Sequence, residues 1–289
     1  MMDLTFEACG LRLPILPSEG APRTLAALQR ALPMPLQLHT PKIAGSHIFW
    51  HAPFVEDAEG GVDVLSARPG AFIYWPVRQF LEITFAPLQA ETAQVTVLGH
   101  IDAPVAQVVE LGQRLRQEAG RRRFTGRLTG TALPPPPAPA VPAGIHAARL
   151  KLWQACPEDI GALTRSRAIM HPVGPVMQAE SEARVLHEML WWIRAALAQQ
   201  PEAALRITLA MALDKAAVRL RDFCHMGDTA AALFACSDAA ADPTWALPAL
   251  LDEAILIAGR IGAWIDLLIP WNDLNEGFRS ALAAAEVPA

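Results

Sequence analysis

A carboxylate and an imidazole on one surface can act as an acid–base pair, and Glu82 and His100 are the candidates in the first half of the chain. Side chains two residues apart in a strand share a face. Leu81 and Ile83 are expected to face the core, which predicts that Glu82 lies on the opposite, outer face. The alternating valines of 94–101 turn His100 outward in the same way. Glu82 would be the base or orienting carboxylate and His100 the proton carrier; the alternative is that both are ordinary solvent-facing residues.

Two further side chains of this half could hold a substrate carbonyl oxygen. His39 is predicted to point outward because Leu36 and Leu38 form the inward face of its strand. Tyr74, the only tyrosine, precedes Trp75 at a predicted hairpin rim. Its phenol could hold a carbonyl oxygen there or simply pack a strand edge.

A pair of histidines lies on the predicted strand 47–54. His47 and His51 share a face of this strand, but they are separated by about 13 Å, which is too far for one metal ion. One of the two could still join His39 in a pocket.

The second half offers a weaker set of residues for a metal ion or an anion. Glu180 and His187 are seven residues apart, hence on one face of a helix, and His225 lies on the next long helical segment. Neither segment has the Glu-x-x-His spacing of di-iron bundles, so surface salt bridges and interhelical polar contacts are the alternative. The sequence contains no nucleotide-binding or zinc-binding motif, and no cofactor is expected.

The elements that must position these residues divide at a proline-rich stretch. Residues 131–144 include LPPPPAPAVPAG and predict a linker without regular structure. Residues 1–130 predict about eight short strands with helices at 22–32 and 104–119, a pattern typical of a small closed β-barrel. Residues 145–289 consist of long alanine-rich and leucine-rich helical segments. The sequence therefore predicts an α+β chain of two domains, a closed barrel followed by an all-helical bundle.

A resemblance to a known family covers residues 3–120. It rests on the string APRTLAALQRALP at 21–33 and on shorter matches in the same order: Leu38-His39, 46–50, Arg68-Pro69-Gly70, 74–76, 81–83 and Gly99-His100. This part resembles bacterial proteins with a cyclophilin-like β-barrel, most of them of unknown function. The resemblance implies a closed barrel with an outer ligand groove, which Glu82, His100 and His39 would line. Related barrels look like parts of enzymes that hydrolyse cyclic amides and allophanate, an analogy at the level of the fold.

The chain also departs from that family. Val77-Arg78-Gln79 stand where the family usually has a glycine-rich segment, and residues 145–289 match no family pattern. The segments that line the catalytic groove of true cyclophilins have no counterpart, so prolyl isomerase activity is not expected.

Charge and hydropathy exclude several classes of partner. The net charge of -5 arises in residues 145–289, with 12 basic and 17 acidic side chains, against 12 and 12 in residues 1–130, so nucleic acid is not an expected partner. The longest apolar run, 254–269, contains Arg260 and Asp266 and predicts a buried helix rather than a membrane span. Four scattered cysteines and an acidic N-terminus predict reduced thiols and a cytoplasmic location.

The leading hypothesis is a cytoplasmic catabolic enzyme that binds a small polar metabolite and hydrolyses an amide or cyclic amide by acid–base catalysis. The alternative is a non-catalytic ligand-binding or accessory subunit. Six of the eight tryptophans lie in the helical half, so a homo-oligomer formed through this half is expected in either case.

Overall fold

The computed structural model describes residues 3–43, 45–88, 92–166 and 173–284. The chain forms two compact units, which we call the barrel unit (Met1–Ala52, Glu56–Pro135 and Pro270–Ala289) and the helical unit (Pro53–Val55 and Pro136–Ile269). The final helix groups with the barrel unit, whereas the sequence assigned it to the helical domain.

The described residues of the barrel unit contain all the strands of the structure. They are β1 (Leu4–Ala8), β2 (Leu11–Pro17), β3 (Met34–Leu38), β4 (His47–His51), β5 (Val62–Asp63), β6 (Ala71–Trp75), β7 (Phe80–Thr84), β8 (Gln94–Ile101) and β9 (Phe124–Gly130). The described α-helices of this unit are α1 (Pro22–Arg30), α2 (Val105–Gln117) and the final helix, α9 (Trp271–Ala284).

The strands form a nearly closed antiparallel barrel. Their order is β3-β9-β1-β2-β8-β6-β7-β4, with β5 paired to β8. An isolated antiparallel bridge between His39, just after β3, and Phe49 in β4 joins the two ends of this sheet. The barrel predicted from the short alternating strands is therefore present.

Aromatic rings fill the interior of the barrel. Phe6 stacks on Trp50 with ring centroids 5.4 Å apart, and Trp50 stacks on Phe72 at 5.8 Å. These rings come from β1, β4 and β6, which are not neighbours in the sheet, so they meet across the interior. The two predicted helices are confirmed: α1 buries Leu28, and α2 buries an apolar stripe that includes Leu111.

The outer face of β4, β6 and β7 is also covered. Val64, Ala67 and Leu88 pack onto Phe49 and Ile73 of this face. Strands with one buried and one solvated face show an alternation of buried and exposed residues, but every residue of β4, β6 and β7 is buried. The outer face of these three strands is therefore closed to solvent, and this covered face is where the candidate site lies.

The regular secondary structure among the described residues of the helical unit is helical, as predicted, and includes no strand within 173–269. Its helices are α3 (Ala143–Gln154), α4 (Glu158–Arg165), α5 (Val173–Ala195), α6 (Glu202–Val218), α7 (Gly227–Ala241) and α8 (Leu247–Leu268), with a π-helical turn at Arg219–Phe223 after α6. Before α3, residues 131–139 form neither helix nor strand.

Helix α8 is the buried helix that the sequence predicts, because every residue from Glu253 to Asp266 is buried. Its buried charges have partners. Arg149 makes an ion pair with Glu253 at 3.1 Å, and the guanidinium of Arg260 lies 4.1 Å from the ring centroid of Trp264. No single helix in the described part of the chain has both the length and the hydropathy to cross a membrane; α8 and α9 meet that test only when taken together.

Candidate functional site

Glu82 is the centre of the candidate site. In β7 it pairs with Phe49 of β4 and with Ile73 of β6, in the middle of the covered face. Its side chain lies on the outer face, as predicted, but it is 0% exposed, so the alternative of an ordinary solvent-facing carboxylate is wrong. Neither carboxyl oxygen has a hydrogen-bond partner among the described residues. A buried polar group without such a partner costs about 1–3 kcal/mol, and groups of this kind concentrate at functional sites.

His47 is the polar neighbour of Glu82. His47 in β4 pairs with Thr84 in β7. This pair lies two positions from the pair of Phe49 and Glu82, so His47 lies on the same covered face as Glu82. Its Nε2 lies 3.5 Å from Oε2 of Glu82. The sequence singled out both residues but did not associate them, because the register between two strands cannot be read from either strand alone.

Burial moves the two pKa values in opposite directions. Desolvation raises the pKa of Glu82 to about 8. Desolvation, followed by the positive charge of Arg116, lowers the pKa of His47 to about 4. At neutral pH the contact is therefore between a largely protonated carboxylic acid and a neutral imidazole, and it is not an ion pair even though its geometry would permit one.

Aromatic rings surround this pair. Phe49 stacks on Phe80 with centroids 4.0 Å apart, and His39 stacks on the Phe49 ring at 5.0 Å. The ring of His51 stands edge-on to His39 at 5.3 Å. One of the two strand histidines thus joins His39, as the sequence proposed, and the other lies at Glu82. His39 faces outward as predicted, but it is buried.

His100 is not brought to Glu82. It is exposed, as predicted, and it pairs with Ala71 of β6. Because β6 lies between β7 and β8, the backbones at the two residues are separated by two strand spacings, about 10 Å, and in addition by two positions along β6, since Glu82 pairs with Ile73. The structure therefore offers no direct proton path between Glu82 and His100.

Tyr74 lies on the other face of the sheet. It pairs with Leu81, one position from Glu82, and is fully buried. Its hydroxyl oxygen accepts a hydrogen bond of 3.2 Å from the backbone N–H of Glu56. This placement corresponds to the packing alternative rather than to a substrate holder beside Glu82.

The metal candidates of the helical unit are not brought together. Glu180 makes an ion pair with Arg184 one turn along α5, and His187 is buried on the same helix. His225 is exposed, with a left-handed backbone (φ 58°), between the π-helical turn and α7. Within the described ranges, no three His, Cys, Asp or Glu side chains are grouped closely enough to hold a metal ion.

Comparisons with known proteins place the fold but not a family. No family model matches the chain, and no curated protein sequence matches it. Among solved structures it is similar to McbB in complex with tryptophan, with a TM-score of 0.72 over 95% of this chain and 99% of McbB, at 15% identity. It also matches the solution structure of the hypothetical protein AF2241 from Archaeoglobus fulgidus, at 19% identity over 44% of this chain and 93% of that one, with a TM-score of 0.34, too low to support an argument. The similarity to McbB shows a shared fold.

Proposed function

We propose that this protein is an enzyme that binds a small aromatic amine or amide and uses Glu82 to exchange a proton with it. The observation that carries the proposal is the complete burial of Glu82, whose pKa is raised to about 8 beside the neutral imidazole of His47. A general acid or base works best when its pKa lies near the operating pH. Structural ion pairs do not require such a group, because they keep both partners charged.

The proton transfer needs only these two residues of the chain. Near pH 7 the protonated carboxyl of Glu82 can give its proton to a substrate nitrogen or carbonyl oxygen, which leaves a carboxylate that takes a proton back in a later step. The Nε2 of His47 faces this carboxyl and, in the tautomer of the neutral imidazole that carries its proton on Nδ1, can accept a hydrogen bond from it. A small approach of the two groups from their separation of 3.5 Å forms this bond, in which His47 orients the acidic proton.

The substrate class follows from the surroundings. Phe49, Phe80 and Trp75 line the covered face around Glu82, and such rings favour a flat, apolar ligand. McbB, which shares the fold, was solved with tryptophan, so tryptophan and related amines are the first compounds to test. Similarity of fold does not transfer a ligand, and these compounds remain candidates.

Amide or cyclic-amide hydrolysis is a second candidate reaction at the same carboxyl. It is supported by the resemblance of residues 3–120 to cyclophilin-like barrels. That the barrel is cyclophilin-like belongs to this proposal. Above its pKa the Glu82 carboxylate could activate a water molecule for such a reaction. The cytoplasmic location and the small-metabolite partner predicted from the sequence also belong to the proposal.

Activity of Glu82→Gln and His100→Ala variants tests the proposal. Turnover is measured with tryptophan, tryptamine and cyclic amides, and ligand binding is measured by calorimetry. The Glu82→Gln change should lower turnover by about 10² or more, because it removes the exchangeable proton, while ligand binding persists. The His100→Ala variant is the matched control and should keep wild-type turnover, since this exposed imidazole lies on the far side of β6. Equal turnover in wild type and Glu82→Gln contradicts the proposal. If the wild type and Glu82→Gln both bind a ligand and neither turns it over, the protein is instead the non-catalytic ligand-binding alternative.

A further inference from the structure

The imidazole of His47 is enclosed between Glu82 and the backbone of Gly45. A Cβ atom at Gly45 would lie 2.7 Å from Cε1 and 2.8 Å from Nδ1 of His47, closer than side chains approach one another. Gly45 also has a φ of 119°, in the region that only glycine adopts readily. The position of the imidazole ring therefore depends on this glycine and on its backbone conformation.

Arg116 holds the backbone of Gly45. It lies in the last turn of α2, and its guanidinium donates a hydrogen bond of 2.5 Å to the carbonyl oxygen of Gly45. The end of α2 is itself fixed, because the side-chain amide of Asn272 in α9 donates to the carbonyl oxygens of Arg116 and Gln117. A continuous set of contacts thus runs from the end of α2 through Gly45 to the imidazole of His47.

We propose that Arg116 is a positioning residue of the acid–base site: it fixes the Gly45 backbone and thereby keeps the His47 imidazole against Glu82. The effect on catalysis rests on the proposed function, whereas the placement of the imidazole does not. Arg116 acts through Gly45 and not on the substrate. It is exposed, so its replacement leaves the core of the barrel unit intact.

Charge and geometry at Arg116 can be separated. Among the described residues, the ionisable groups that act on His47 are Glu82 from β7 and Arg116 from α2, and after burial it is the Arg116 charge that lowers the pKa of His47. Arg116→Met removes both the charge and the hydrogen bond. Arg116→Lys keeps the charge but replaces the planar fork by a single flexible ammonium group.

Nuclear magnetic resonance (NMR) titration of the His47 imidazole in the full chain, without substrate, tests the placement. Arg116→Met should raise the pKa of His47 and change the chemical shifts of its ring, while Arg116→Lys should keep the pKa near the wild-type value and still change the shifts. Arg114→Met is the matched control, since Arg114 lies in the same helix and pairs with Glu118 at the surface. Wild-type His47 signals in Arg116→Met would overturn the proposal.

A second variant tests the same chain of contacts at Gly45. Gly45→Ala should displace the imidazole and change its NMR signals, because the added methyl group occupies its place. Gly277→Ala in α9 is the control, since a Cβ there meets nothing within 4 Å. Unchanged His47 signals in Gly45→Ala would contradict the proposed positioning.

Turnover separates this proposal from the proposed function. Arg116→Met is expected to lower turnover about fivefold, the effect of one lost hydrogen bond, and to move the acidic limb of the pH profile. If Glu82→Gln is inactive while Arg116→Met leaves both the His47 NMR signals and turnover unchanged, the positioning role of Arg116 is wrong. The proposed acid–base function of Glu82 is then still supported. If Arg116→Met changes the pKa and NMR signals of His47 but Glu82→Gln keeps full turnover, the set of contacts from Arg116 to His47 is purely structural. Its catalytic role is then refuted.

Discussion

A carboxyl oxygen of Glu82 lies 3.5 Å from Nε2 of His47, on adjacent antiparallel strands and on a face closed to solvent. Burial raises the pKa of the acid to about 8 and, with the Arg116 charge, lowers that of the base to about 4. Both groups are therefore uncharged over a wide range around neutral pH. The free energy of unfolding must therefore depend on pH, and variants of Glu82 and His47 should change this dependence in different pH ranges.

Replacing Glu82 by Gln should flatten the pH dependence of stability on the alkaline side. The pKa of Glu82 in the folded state, about 8, exceeds its ordinary value of 4.5, so the folded protein binds more protons and stability falls as pH rises from 4.5 to 8. Between pH 6.5 and 8 this fall amounts to about 2 kcal/mol, at about 1.4 kcal/mol per pH unit. Chemical denaturation at a series of pH values measures it.

The control for this measurement is Glu110→Gln, which changes an exposed carboxyl on α2. This variant should show the same loss of stability above pH 6.5 as the wild type. If Glu82→Gln also shows that loss, Glu82 does not carry a raised pKa in the folded protein.

Replacing His47 by Phe should make the stability of the protein depend on pH on the acidic side, where the stability of the wild type is nearly constant. Because the pKa of His47 falls from 6.5 to about 4 on folding, its contribution to stability is complete above pH 6.5 and is lost as pH falls towards 4. Between pH 4.5 and 6.5 this loss offsets the gain from protonation of Glu82, so the wild type should be nearly flat. His47→Phe should instead become more stable as pH falls through this range, whereas His100→Gln should follow the wild type.

The predicted homo-oligomer can be tested at the exposed apolar residues of α5 and α6. Trp192, Ile207 and Met211 are 65%, 63% and 68% exposed, unusually high values for such side chains. Light scattering at micromolar concentration should show at least a dimer, and Trp192→Glu should dissociate it. Phe278→Glu, at an equally exposed position on α9, tests whether association uses that helix instead. A monomeric wild-type chain would contradict the prediction.

The features predictable from the sequence are those set by local periodicity. The apolar stripe of α2 identified that helix, and the alternation of Leu81 and Ile83 correctly placed Glu82 on the face opposite the barrel interior. Adjacent residues of a helix point about 100° apart, and the structure accordingly buries Trp191 and exposes Trp192.

The features that could not be predicted depend on contacts between distant residues. Alternation shows which side chains share a face but not what covers that face, so the packing of Val64 and Leu88 over the outside of the barrel was not foreseen. The contact between His47 and Glu82 depends on the register of β4 against β7, which is set by the closure of the whole barrel. His100 was chosen as the partner of Glu82 only because its side chain points outward. The sequence does not show the strand order, in which β6 lies between the strands of these two residues.

The central claim is tested most directly by the ionisation of Glu82 itself. Carbon-13 NMR of the Glu82 side-chain carboxyl, assigned by its absence in Glu82→Gln, reports the pKa of this group in the folded protein. The structure predicts a midpoint of about 8, with the carboxyl protonated at pH 6.5. A midpoint near the ordinary glutamate value of 4.5 would show that the carboxyl is ionised at neutral pH and would contradict its role as a buried acid.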